Sequence, residues 1–213
     1  MQKIGFCDRY GLTQAVLNGT KTMTRRVEKG LKTFEIEYEV HYIYSMEVIN
    51  QYWDEEKNSL AIITPQGKMK VPTRYKLGEV VAVAQAYKDV FTDDDLIAFD
   101  DGLEIKLSKG WSNKLFVKPD LMPHQIQITD VRIERLQAIT DDDCLKEGIL
   151  KKSNFPYKKA MPYYFEGRKH EWDNSFRTPR QAFASLINRP GVGRKGLWES
   201  NQWVVVYEFK LVK

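Results

Sequence analysis

The apolar residues of this chain come in short runs. The two longest, around residues 80–84 and 203–207, are strand-sized and too brief for a membrane span. A fold built on such runs needs several strands and only short helices. In the segment 125–136, Ile126 and Ile128 share one parity while Val131 and Ile133 share the other, which predicts a long strand with a bulge between Ile128 and Val131. Residues 60–64 and 68–71 flank Pro65, Gln66 and Gly67 and read as a hairpin. Residues 34–42 alternate apolar with polar side chains, the period-two signature of a strand with one wet face. Residues 76–79 form a turn into a buried strand over 80–87, and 203–211 closes the chain as a β-branched strand.

Helix signals are local and few. Leu12, Val16 and Leu17 followed by Gly19 predict a short helix over 10–18, with glycine free to take the left-handed conformation that ends it. Thr140 is placed to cap a helix, with Asp143 three residues on. Acids at 141–143 suit the positive end of the helix dipole, so these aspartates read as capping rather than metal binding. Thr178 and Pro179 read as N-cap and first residue of a helix through Asn188 that buries Phe183, Leu186 and Ile187. Residues 91–109 read as a variable excursion, and 153–175 have no clean period. No internal repeat occurs. The expectation is an α+β fold, a small β-barrel with flanking helices, in one domain over 1–213 with insertions at about 31–70, 91–112 and 151–177.

Composition narrows the function classes. A hydrophobic share of 42% with 29% charged residues excludes disordered and low-complexity chains. The formal charge of +4 hides opposed blocks: residues 1–32 hold seven basic and two acidic side chains, residues 151–196 hold eleven and three, and the remainder carries −9. If the two basic blocks meet in space, they form a face suited to an anion. Two cysteines without C-x-x-C and three scattered histidines argue against a disulfide framework or a zinc site, and no metal or cofactor is expected. Lys3, Asp8 and Arg9 interrupt any apolar leader, so no membrane association and a cytoplasmic location are expected. Residues 191–196 fit G-x-G-x-x-G, but a helix precedes them and a strand follows, whereas dinucleotide binding needs strand, loop, then helix. Phosphate-loop, zincin and serine-hydrolase motifs are missing from the sequence.

Two segments concentrate reactive groups: Lys21-Thr22-Met23-Thr24-Arg25-Arg26 after the first helix, and Leu136-Gln137-Ala138-Ile139-Thr140 leading to Glu147-Gly148-Ile149. Together with Asn18-Gly19-Thr20, Tyr75-Lys76-Leu77-Gly78-Glu79-Val80-Val81, residues 129–135 and the closing 198–209 segment, they resemble the ASCH domain of the PUA-like superfamily, in family order along nearly the whole chain. The resemblance implies a β-barrel whose cleft binds RNA or a nucleoside. One branch of the family consists of amidohydrolases that remove the acetyl group of N4-acetylcytidine with a lysine, a threonine three residues later and a glutamate. By position these are Lys21, Thr24 and Glu147. An alternative implied by the same family is a non-catalytic RNA-binding module, with Thr22, Arg25, Arg26, Arg177, Arg180, Arg194 and Lys195 as contacts, and a weaker one is a protein-interaction module. The chain departs from longer members at Gln85 and Gln125, where a Glu and an Arg are usual. If that pair is ionic in relatives, a neutral hydrogen bond is expected here.

Two chemical roles are open to Lys21. As a general base near neutral pH it needs a pKa lowered from about 10.4 toward 7, a differential interaction of roughly 4–5 kcal/mol. As an ammonium it would stabilise an oxyanion while Glu147 handles protons and Thr24 or a water attacks. In an ideal strand Lys21 and Thr24 point to opposite faces, so they share a site only if Lys21 lies in the turn after Gly19. Trp111, Trp198 and Trp203 read as core residues.

Overall fold

The structure, a computed structural model, describes residues 1–28, 31, 47–65, 67–97, 101–152, 161–167 and 175–212. Its elements in chain order are β1 (Gln2–Ile4), α1 (Leu12–Leu17), β2 (Met23–Arg26), β3 (Asn50–Asp54), β4 (Ser59–Thr64), β5 (Gly67–Val71) and β6 (Val80–Val83). They continue with α2 (Asp93–Ile97), α3 (Gly102–Leu107), β7 (Gln125–Arg135), α4 (Asp141–Lys146), β8 (Leu150–Lys151), β9 (Tyr163–Tyr164), β10 (Ser175–Phe176), α5 (Pro179–Ile187), α6 (Leu197–Ser200) and β11 (Trp203–Leu211). The class is α+β. The strand expected over 34–42 lies outside the described residues, as does most of 153–175.

A five-stranded sheet in the order β1-β6-β7-β11-β2 organises the molecule. Its spine is the antiparallel pair β7–β11, the two longest strands, in which Val131, Ile133, Val205 and Tyr207 bury their side chains. The bulge falls where the parity change puts it: Glu208 pairs with Asp130 and Phe209 with Ile128, so Thr129 is the extra residue. Among the described residues this sheet does not close into a barrel, and β1 and β2 are its edges. The reason lies in what joins those edges. Arg26 of β2 donates from Nη2 to the carbonyl of Gly5, just past β1, at 2.8 Å, so a side chain and not a strand ladder spans the seam.

The hairpin β4–β5 forms with Thr64 opposite Gly67, and β3 adds a third strand that the sequence pattern did not announce. Leu60, Ile62 and Val71 of this small sheet enter the main core. The excursion over 91–109 contains α2 and α3, whose Leu96 and Ile105 build a second small core with Tyr87, Val117 and Met122. Both caps form as expected: Thr140 Oγ1 accepts from Asp143 N and Thr178 Oγ1 from Gln181 N, each at 3.1 Å. No described helix is long and apolar enough to cross a membrane.

Candidate active site

Lys21 belongs to the turn, not to the strand. Gly19 takes φ +72°, and Thr20 and Lys21 both donate main-chain N–H groups back to Ala15 O, which folds the chain away from α1 before β2 begins at Met23. Thr22 uses its backbone to anchor this turn, donating to Lys146 O and accepting from Phe209 N. The alternation of a strand therefore does not apply to Lys21, and its amine and the Thr24 hydroxyl reach the same cleft. Glu147 is the C-cap of α4. Gly148 follows at φ +98°, and a Cβ there would stand 3.1 Å from Leu12 Cδ2 and within 3.7 Å of the Lys21 stem. Glycine is needed for the dihedral, and a Cβ would also crowd Leu12.

The geometry of Lys21 bears on its protonation. Nζ lies 2.7 Å from Met23 O, Glu147 O and Glu147 Oε2, and the side chain is 2% exposed. Three acceptors match the three hydrogens of an ammonium; a neutral amine would turn its lone pair toward one of them. Burial lowers the Lys21 pKa, with Arg26 and Arg25 adding to the shift, while Glu147 opposes it by charge and hydrogen bond. The three-acceptor geometry suits an ammonium, and burial works against that charge.

Behind this pair stands a charge lattice. Arg25, whose side chain is fully buried, donates to Glu147 Oε1 at 3.3 Å and to Glu134 Oε2 and Asp143 Oδ2 at 2.9 Å each. Burial works against its charge, but Glu147, Glu134 and Asp143 outweigh it and raise its pKa. Arg132 continues the lattice through Asp130, Glu134 and Glu208. Asp143 thus caps nothing with its own carboxylate: it is a counter-ion for Arg25. Among the described residues no three of His, Cys, Asp and Glu are arranged to hold a metal ion.

The cleft has a volume of about 440 Å³, inside the range of about 300–1,000 Å³ usual for small-ligand sites. Gly5, Phe6 and Cys7 line it beside β1, and Thr24, Arg25 and Arg26 on β2. Phe183, Leu186 and Ile187 of α5 supply its apolar wall, joined by Val192 and Arg194 of the glycine loop. Thr24 is buried, lines the cleft, and among the described residues its hydroxyl has no hydrogen-bond partner.

The other expected contacts separate into two groups. Arg26 and Arg194 line the cleft, so part of the second basic block does lie beside it. Arg25 also lines the cleft, with its guanidinium held by Glu147, Glu134 and Asp143. Arg180 lies off the cleft: it donates to the carbonyls of Ile139 and Gln137 and packs over Trp198, tying α5 to the loop before α4. Arg177 and Lys195 are exposed and off the cleft, and Thr22 serves as backbone anchor. Gln85 does not pair with Gln125: its Oε1 meets His124 Nδ1 at 2.7 Å, while Gln125 sits in the β6–β7 ladder opposite Ala82. The glycine loop does follow a helix, and the four-residue α6 separates it from the closing strand. A Cβ on Gly193 would overlap the Ile187 carbonyl, so this glycine serves close packing. Trp198 and Trp203 belong to the main core and Trp111 packs on the second. Sequence reasoning missed Glu28, Arg74 and Cys7 in the cleft and Glu134 behind it, because isolated residues far apart in sequence carry no local signal.

No protein-family model, curated protein or solved structure matches this chain.

Proposed function

We propose that the protein is an ASCH-type, PUA-like amidohydrolase that binds a modified nucleoside in the cleft and hydrolyses an exocyclic amide of the N4-acetylcytidine type. The observation that carries this reading is the Thr24 hydroxyl, without a hydrogen-bond partner among the described residues, in the same cleft as the buried Lys21–Glu147 pair. Thr24 Oγ attacks the acyl carbon and passes its proton to Glu147. The Lys21 ammonium faces the developing oxyanion. All three of its hydrogens are committed, so the substrate oxygen replaces one main-chain acceptor, Met23 O or Glu147 O. When the C–N bond breaks, the proton held by Glu147 goes to the departing exocyclic amine. Water then cleaves the threonyl ester, releasing the carboxylic acid and restoring the hydroxyl. The open sheet is compatible with a barrel that the strands leave unsealed beside the cleft.

Incubation with N4-acetylcytidine tests the reading. Wild type releases cytidine and acetate, Thr24→Val releases neither, and intact-mass analysis of the quenched wild-type reaction finds an acetyl adduct on Thr24. Absence of cytidine at high enzyme concentration from folded wild type overturns it for this substrate. The second reading, a non-catalytic RNA-binding module, draws on Arg194 at the cleft and the exposed Arg177 and Lys195. It predicts RNA affinity that falls steeply with salt, unchanged in Thr24→Val.

A further inference from the structure

The cleft lining is electrically lopsided. Among the described residues five cationic side chains, Lys21, Arg25, Arg26, Arg74 and Arg194, line it against two carboxylates, Glu28 and Glu147. Around Glu147 both cations are paired: it holds Lys21 and Arg25, and Glu134 and Asp143 hold Arg25 from behind. Around Glu28 they are not. Among the described residues no carboxylate forms an ion pair with Arg26, Arg74 or Arg194. Glu28 instead accepts the Tyr207 hydroxyl at 3.0 Å.

Arg26 is the least satisfied of the three. One terminal nitrogen reaches the Gly5 carbonyl, the guanidinium lies 5.7 Å from the Phe6 ring centroid, and Nε is buried with no acceptor. Burial, with Arg74 adding to it, lowers the Arg26 pKa. A buried guanidinium nitrogen without an acceptor, on an arginine that no carboxylate among the described residues pairs, is uncommon in folded proteins, and an anionic ligand supplies both missing partners. The planar fork of arginine matches the oxygen geometry of phosphate.

We propose that Arg26, Arg74 and Arg194 form a subsite for a phosphate monoester, so that the cleft takes a nucleotide in preference to a free nucleoside. The inference rests on the reading of the cleft as a nucleoside site and names the charged group its ligand carries. The free nucleoside would leave the three arginines as they stand, whereas a 5′-phosphate adds two negative charges and several acceptors beside them.

Calorimetric titration with probes that carry no acyl group tests this without requiring hydrolysis. The probes are cytidine, cytidine 5′-monophosphate, ribose 5-phosphate and a cytidine trinucleotide lacking a terminal phosphate, each at low and high salt. The monophosphate is expected to bind at least about tenfold more tightly than cytidine, with the advantage shrinking as salt rises. Arg26→Gln and Arg194→Gln should each remove most of that advantage. Arg194 is exposed on the glycine loop and has no partner among the described residues, so its variant keeps the test open if Arg26→Gln misfolds. Equal affinity for cytidine and its monophosphate, an advantage untouched by either variant, or failure of every probe to bind overturns the subsite. A trinucleotide that binds as tightly as the monophosphate overturns the monoester in favour of a strand. Binding of ribose 5-phosphate without cytidine would support the subsite and sink the nucleoside reading; amide hydrolysis without a phosphate advantage would do the reverse.

Discussion

Lys21 and Glu147 meet at 2.7 Å although 126 positions separate them in sequence, and Glu147 offers the ammonium both its carboxylate and its main-chain carbonyl. The contact joins the turn after α1 to the C-terminus of α4, and it is almost dry. Breaking it from one side leaves a buried charge. Lys21→Met and Glu147→Gln are each expected to destabilise the fold by about 3–5 kcal/mol. The double variant should lose less than the sum, because the second change removes the stranded partner. Urea unfolding of the four proteins measures the coupling; strict additivity would show that the pair does not act as a unit.

Thr24 separates chemistry from stability. Its hydroxyl has no partner among the described residues, so Thr24→Val breaks no hydrogen bond and is expected to cost less than about 1 kcal/mol. Activity on an acylated nucleoside should fall by about 100-fold or more through kcat. Equal kcat in the variant would remove the nucleophile role.

Gly148 should tolerate no side chain. Alanine at φ +98° is strained, and its Cβ would crowd Leu12 Cδ2. Gly148→Ala is expected to destabilise by about 1–3 kcal/mol, measured by urea unfolding; an unchanged midpoint would show that the dihedral is not strained.

The two cysteines should behave oppositely. Cys7 is half-buried and lines the cleft, whereas Cys144 is fully buried and its thiol is pushed up to about 12, mainly by burial. Alkylation of the native protein followed by peptide mass analysis should label Cys7 and spare Cys144, with a cleft ligand slowing the Cys7 reaction. Above pH 9, the ordinary value for the thiol, the unfolded chain releases the Cys144 proton while the folded chain keeps it until about 12. The unfolded state then binds fewer protons, and stability falls as pH rises through that window. Tyr207, raised mainly by burial, adds a loss in the same direction at higher pH. Cys144→Ala should flatten the alkaline slope by its own share and leave the Tyr207 share.

What the sequence disclosed follows the range of the interactions. Thr140, Thr178 and Pro179 announced their helices because capping acts within three residues. The Ile128–Val131 parity change announced the bulge, because side-chain alternation is a property of the strand itself. The helices α2 and α3 went unseen because each buries a single apolar side chain, Leu96 and Ile105, which leaves no repeat to read. Lys21, Thr24 and Glu147 were recognised by resemblance. Glu134 and Asp143 as counter-ions to Arg25, and Glu28 and Arg74 as cleft residues, become neighbours only once the sheet has formed.

Arg26 bridges the two free edges of the sheet where a ladder would have closed it. Strands stitched by main-chain hydrogen bonds stand about 4.8 Å apart, a spacing that admits no ligand. The cleft lies beside this seam, where among the described residues one arginine side chain holds the edges. A sequence that lengthened β1 and let it pair with β2 would trade a side chain that can turn for a ladder that cannot, so rigidity and access to the chamber pull this one joint in opposite directions.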